Sequence, residues 1–145
     1  MKLRNAKPPQ KKLTKAEIYR ELIKCGKDPI YFISNYCKIA HPEKGLINFS
    51  LFPFQEDLLK SYKNNKMNII LKARQLGIST LSAAYSVWKI VFQKFQSILI
   101  MATNFRVAAN LMGKIKLAFK ELPSWIRENM ASIKSDNQKE LLTGS

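Results

Sequence analysis

Two cations, a glycine and two hydroxyls crowd the stretch Lys72-Ala-Arg-Gln-Leu-Gly-Ile-Ser-Thr80. The chemistry open to such a set is the holding of a phosphate-like anion. The common phosphate-binding loop reads G-x-x-x-x-G-K-S/T, with backbone N–H groups, a lysine and a metal-binding hydroxyl on the nucleotide. If Gly77 takes the place of the second glycine, Ser79 falls on the Mg²⁺ hydroxyl. Ile78 stands where the lysine would be, and Lys72 occupies the place of the first glycine. The cation has moved to the other end of the loop. Backbone N–H groups across Ala73, Gln75, Ile78 and Thr80, with the start of the next helix, would still face an anion. Lys72 has a long stem that reaches toward the β- and γ-phosphates. Arg74 adds a guanidinium that would stabilise charge on a γ-phosphoryl group, in the manner of an arginine finger supplied in cis. A basic turn with no ligand has the same composition.

Such a loop needs a strand before it and a helix after it. Met67 to Leu71 is a short apolar run that predicts a buried strand. Apolar residues at 81, 84, 87, 88, 91, 92 and 95 predict a helix opening near Ser79 and Thr80. A second apolar run, 97–102, predicts another strand and ends at Thr103-Asn104. Strand, loop, helix and strand make a βαβ unit, so the expected fold is an α/β phosphate-loop NTPase domain with a mainly parallel sheet flanked by helices. Ligands of such sheets bind at the carboxyl ends of the strands, where Lys72 to Ser79 and Thr103-Asn104 would both lie.

Upstream stands Leu51-Phe-Pro-Phe-Gln55. The amide of Gln55 offers a donor beside an acceptor, which suits the N6 and N7 edge of adenine. Phe52 and Phe54 would supply an apolar surface for the ring. Core packing for the two phenylalanines and a helix-start role for Gln55 are the plainer alternatives.

These motifs, in order with Asp28-Pro-Ile-Tyr-Phe-Ile-Ser-Asn-Tyr36, Gly45-Leu-Ile-Asn-Phe49 and Met101-Ala-Thr-Asn104, resemble the N-terminal ATPase domain of the large terminase subunit of tailed bacteriophages of the long contractile-tailed type. The resemblance covers residues 28–145. It implies ATP and Mg²⁺ as cofactors and ATP-driven movement of double-stranded DNA into a procapsid as the activity. Portal protein and small terminase subunit would be partners, in a ring of identical subunits. The place of action would be the host cytoplasm, transiently at the procapsid portal, with no membrane involved. By residue, it implies adenine sensing by Gln55 beside Phe54, and the displaced lysine at Lys72. Arg74 would be the loop arginine, Gly77 and Ser79 the loop glycine and Mg²⁺ hydroxyl, and Thr103 and Asn104 the motif that couples nucleotide state to movement. Ile78 departs from the lysine common in close relatives, so the lysine role rests on Lys72.

Hydrolysis in that family needs a hydrophobic strand ending in Asp-Glu, to hold Mg²⁺ and activate water. After residue 80 the only acidic residues are Glu121, Glu128, Asp136 and Glu140, none of them behind an apolar strand. The family's nuclease domain has no counterpart either. The expectation is an N-terminal portion that binds ATP but hydrolyses it poorly by itself. Three segments are expected: a basic disordered arm at 1–12, a helical segment at 13–50 and the start of the ATPase domain at 51–145. Within the helical segment, Thr14-Lys-Ala-Glu17 predicts a capped helix to about Lys24 that Gly26 ends. A second helix is expected over 28–38 and a short strand over 47–51.

Length and composition set wide bounds. The 145 residues suit one domain, and 46% hydrophobic residues suffice for a core. With 25 Lys+Arg against 10 Asp+Glu, the net charge is +15, which favours a polyanionic partner. Cys25 and Cys37 lack metal-site spacing and read as free thiols. No apolar run reaches the ~20 residues of a membrane span. Two other functions fit the residues: a superfamily-2 helicase-like ATPase fragment, and a basic DNA-binding fragment that works without enzymatic activity.

Overall fold

The first helix begins where Thr14 and Glu17 satisfy each other's backbone. Thr14 Oγ1 accepts from the Glu17 N–H at 3.3 Å, and Glu17 Oε2 accepts from the Thr14 N–H at 2.7 Å. Two N–H groups that a helix start leaves without partners are thereby bonded. The structure, a computed structural model, describes residues 13–41 and 43–132. The basic arm at 1–12, Pro42 and the tail from 133 lie outside the described residues. In chain order the elements are α1 (Lys15–Lys27), α2 (Pro29–Tyr36), β1 (Lys38–His41), β2 (Gly45–Asn48), α3 (Pro53–Asn64), α4 (Ile78–Phe92), α5 (Phe105–Lys120) and α6 (Ser124–Ser132).

Asp28 is the last cap of α1 and the first of α2. Its N–H donates to the Lys24 carbonyl at 3.1 Å, while its Oδ1 accepts from the Ile30 N–H at 2.9 Å. Pro29 at the first position of α2 has no N–H to give back to α1. The Cys25 carbonyl, four residues earlier, is therefore left without its helical donor. Trp88 fills the gap from α4, its Nε1–H donating to Cys25 O at 2.8 Å in the buried core. Lys63 does the same at the surface, with Nζ donating to Lys27 O at 2.7 Å. The α1 C-terminus is thus tied to both α3 and α4.

Glu21 joins α1 to α2. Its Oε1 accepts from the Tyr31 hydroxyl at 2.5 Å and the Tyr36 hydroxyl at 2.7 Å. These two bonds, the Tyr31 bond foremost, hold its carboxyl below the usual range. The same bond to Glu21 raises Tyr31 to about 12. Tyr36 is raised as well, first by burial and then by its bond to Glu21.

The core gathers around α4, where Leu81, Ala84, Val87, Trp88 and Val91 are buried. Cys25, Phe32, Ile33 and Cys37 pack with it from the α1–α2 side, as do Ile115 and Ala118 of α5, Leu122 of the turn after it and Ile126 of α6. Phe32 meets Phe92 edge to face, with centroids 5.2 Å apart. Cys25 and Cys37 are free thiols, and burial pushes each up to about 12. Residues 13–50 and the later helices share this one core.

The parallel-sheet α/β fold is not what forms. The described residues are mostly helical, and their only sheet is the two-stranded antiparallel hairpin β1–β2, in register Lys38↔Asn48 through His41↔Gly45. The expected strands 67–71 and 97–102 carry no strand pairing among the described residues. Ile69 and Leu71 are 100% and 102% exposed, and Leu99 and Met101 are 82% and 85% exposed. A parallel strand is held by ladder bonds to its neighbours and by helices over both faces. Here neither run gains a ladder, and the runs stay irregular despite their composition.

Smaller corrections have local causes. Gly26 lies inside α1, which runs on to Lys27, and a Cβ there would sit 3.3 Å from Phe92 Cδ1. The glycine serves a close approach of the Phe92 ring, not a stop. The strand expected at 47–51 forms instead at Gly45–Asn48, paired to a strand over Lys38–His41 that the sequence pattern did not show. α2 ends at Tyr36, short of 38, because β1 begins there.

Candidate functional site

The loop 72–77 leads into α4 through two residues with positive φ, Gln75 at 63° and Gly77 at 70°. Gly77 is the N-cap of α4, and no side chain caps that end. The Leu81 N–H closes the first helical bond onto Gly77 O at 2.9 Å. The N–H groups of Ile78, Ser79 and Thr80 belong to the opening turn, where a helix has no internal partner for them and attracts negative charge. Lys72, Arg74 and Ser79 are exposed around this end. Lys72 Nζ lies 3.4 Å from the carbonyl of its own neighbour Ala73. That is a weak contact, which a ligand would readily replace.

Gln55 is the element that fixes the loop. It is 2% exposed, the one buried polar residue in the described core. Its Oε1 accepts from the Phe52 N–H at 3.1 Å, and its Nε2 donates to Leu76 O at 3.1 Å. The Gly77 backbone passes so near that a Cβ there would lie 3.0 Å from Gln55 Nε2. The glycine is required twice, by its left-handed φ and by this approach. Phe52 and Phe54 stack on each other, centroids 5.8 Å apart and planes 7° apart, and both are exposed beside the start of α3. The structure thus brings Phe54, Gln55 and the loop 72–80 into one neighbourhood.

Thr103 and Asn104 stand at the start of α5. Asn104 is its N-cap, Oδ1 accepting from the Val107 N–H at 3.1 Å, and Thr103 is exposed. One contact at this end of α4 has no mark in the sequence. Lys114 of α5 reaches back 34 positions, and its Nζ donates to Thr80 Oγ1 at 3.1 Å. No sequence signal marks it, because α5 must first pack on α4 to bring the two together. Beside this contact a cavity of about 100 Å³ opens between β1, α4 and α5. It is far below the ~300 Å³ at which small-molecule pockets begin.

The donor set for Mg²⁺ is narrow. Ser79 brings one hydroxyl. Four of the described carboxylates are engaged elsewhere: Glu21 serves the tyrosines, Asp28 caps α2, and Asp57 and Glu121 pair with Lys60 and Lys38. Among the described residues no group of three or more His, Cys, Asp or Glu stands together. What this end of α4 offers a Mg²⁺ is therefore one exposed hydroxyl, that of Ser79, and the other ligands would have to be phosphate oxygens and water. No described helix is long and apolar enough to cross a membrane. No protein-family model matches the chain.

Proposed function

We propose that this chain binds the phosphates of ATP at the N-terminus of α4. In that role it is the N-terminal part of a terminase-like motor that moves double-stranded DNA into a procapsid. The observation that carries the reading is the bond from Gln55 to Leu76, which joins the two motifs of the resemblance at a helix N-terminus flanked by Lys72 and Arg74. ATP phosphates would take the N–H groups of Ile78 to Thr80, with Lys72 and Arg74 neutralising the β- and γ-phosphates and Ser79 on Mg²⁺. Bound Mg²⁺ supplies charge neutralisation on the phosphates. Hydrolysis calls for a water-activating carboxylate, and the sequence after residue 80 has no Asp-Glu pair behind an apolar strand. The chain by itself is then a nucleotide binder with little turnover. Portal protein, small terminase subunit and a ring of copies at the procapsid belong to the same reading.

Calorimetric titration of the chain with Mg·ATP tests it. Saturable binding that weakens at least roughly tenfold in Lys72→Ala/Arg74→Ala supports the site, since two charge-assisted contacts are lost. No saturable binding, or binding untouched by the double change, would overturn it. The high net charge supports a second reading, a DNA-binding fragment without ATP chemistry. DNA affinity unaltered by ATP and steep in salt is its signature.

A further inference from the structure

Away from the α4 N-terminus, the other end of α3 and one flank of α4 enclose an open groove of about 490 Å³. One wall is the end of α3 and the turn after it, with Tyr62, Lys63, Asn64, Asn65, Lys66 and Asn68. The other is a single face of α4. Ser82, Tyr85, Ser86 and Lys89 fall at helical spacings of three and four, on the flank that the buried Leu81, Ala84 and Trp88 leave free. No acidic residue lines the groove.

Its composition is that of a surface for a phosphodiester backbone. Lysine, asparagine, serine and tyrosine are the side chains that contact nucleic-acid phosphates and sugars. Several groups here are already held in place. Ser61 donates to Asn68 Oδ1 at 2.6 Å, Asn68 Nδ2 donates to the Asn65 carbonyl at 3.3 Å, and Tyr85 donates to the Tyr62 carbonyl at 3.2 Å. Lys63 uses one of its three N–H bonds on Lys27 O and has two to offer. Lys89, among the groove's lining residues, stands 5.9 Å above the Tyr85 ring, and Lys66 is exposed on the turn after α3. Tyr62 and Tyr85 pack on each other, centroids 5.3 Å apart, and Tyr85 also stacks on Trp88, so the two tyrosines line the groove as fixed side chains.

We propose that this groove is a binding site for the sugar–phosphate backbone of a nucleic acid, with Lys63, Lys66 and Lys89 as its phosphate contacts. The identity of the polyanion rests on the packaging reading above; the location rests on the groove alone. The groove shares no lining residue with the loop 72–80, so one chain would hold nucleotide at the start of α4 and nucleic acid beside the end of α3 and the middle of α4.

Fluorescence anisotropy with labelled duplex and single-stranded oligonucleotides of mixed sequence tests it. The variant Lys66→Glu/Lys89→Glu leaves the Lys63 cap of α1 intact. Its control, Lys15→Glu/Lys44→Glu, carries the same net charge at exposed positions elsewhere. The groove variant is expected to lose roughly tenfold or more in affinity, while the control changes much less. The slope of log K against log salt should shrink by about 0.9 per lost contact on duplex, or about 0.7 on single strands. The oligonucleotide that shows this loss names the form bound. Thermal melting checks that both variants fold, and Lys66→Gln/Lys89→Gln repeats the test without charge reversal. If the unaltered chain binds neither oligonucleotide, the nucleic-acid part of the packaging reading falls and the groove with it. If it binds and the groove variant binds as well as the control, the groove assignment alone is overturned.

Discussion

Gln55 Nε2 donates to the Leu76 carbonyl at 3.1 Å and lies 3.0 Å from where a Cβ on Gly77 would be. One buried amide therefore sets the path of the loop and demands a glycine beside it. Gln55→Ala removes both of its bonds and leaves the Leu76 carbonyl without its donor, at an expected cost of about 1–3 kcal/mol. Gly77→Ala is expected to cost about 1–2 kcal/mol from its φ of 70° alone, and more while Gln55 stays in place. Urea unfolding of both single variants and the double variant checks the pairing. The double variant should be less destabilised than the sum of the singles. Additive costs would mean that the two residues act apart.

The same pair separates two roles for Gln55. An amide bonded to Phe52 and Leu76 acts as a strut for the loop, so Gln55→Ala should weaken binding of ATP and GTP alike. An amide that reads adenine would weaken ATP binding and leave GTP unchanged. Competition titration with the two nucleotides decides.

Acid and alkali should both act through Glu21. Its folded pKa is depressed below 4.5 by the Tyr31 and Tyr36 hydroxyls, so its contribution is present above about pH 4.5 and is lost as pH falls through the folded value. Tyr31 is shifted the other way, from 10.0 to about 12. Its contribution is full below pH 10 and fades as pH rises toward 12. Melting temperature against pH should therefore drop at both ends. In Glu21→Gln the acid-side drop should be smaller and the alkaline drop from Tyr31 reduced. An unchanged profile would remove Glu21 from the account.

Elements whose cause is local could be read from the sequence. Thr14 and Glu17 announce α1, and the apolar spacing from Leu81 to Phe92 gives α4, whereas Phe95, which continues that spacing, lies past the helix end and is exposed. The apolar runs 67–71 and 97–102 misled because an apolar run forms a strand only beside another strand, and among the described residues they find none. β1 was missed for the converse reason: Lys38–His41 has little strand pattern of its own and depends on pairing with Gly45–Asn48. At the candidate site, the residue types at 55 and 72–80 were legible. That Gln55 holds Leu76 and that Lys114 meets Thr80 was not, since both contacts cross from one element to another.

Trp88 offers a test of how α1 is ended. Pro29 gives no N–H to the Cys25 carbonyl, and Trp88 Nε1 supplies the missing donor at 2.8 Å. Trp88→Phe keeps most of the apolar ring and leaves that buried carbonyl without a donor, so about 1–3 kcal/mol should be lost. Adding Pro29→Ala would restore a helical N–H at position 29 only by dismantling the turn into α2. The single change should therefore not be rescued by it, as denaturant midpoints would show.

Phe95 should behave oppositely to the core aromatics. It follows the end of α4 with a φ of 56° and is 97% exposed. A left-handed backbone costs an ordinary side chain roughly 1–2 kcal/mol, and here almost no burial offsets it. Asparagine tolerates that region much better, so Phe95→Asn should stabilise the fold by up to about 1 kcal/mol and raise the melting temperature. Phe32, fully buried against the Phe92 ring, gives the contrast, and Phe32→Ala should cost about 3–5 kcal/mol. A loss of stability in Phe95→Asn comparable to that in Phe32→Ala would show that Phe95 is buried in solution, and that the chain turns differently after α4.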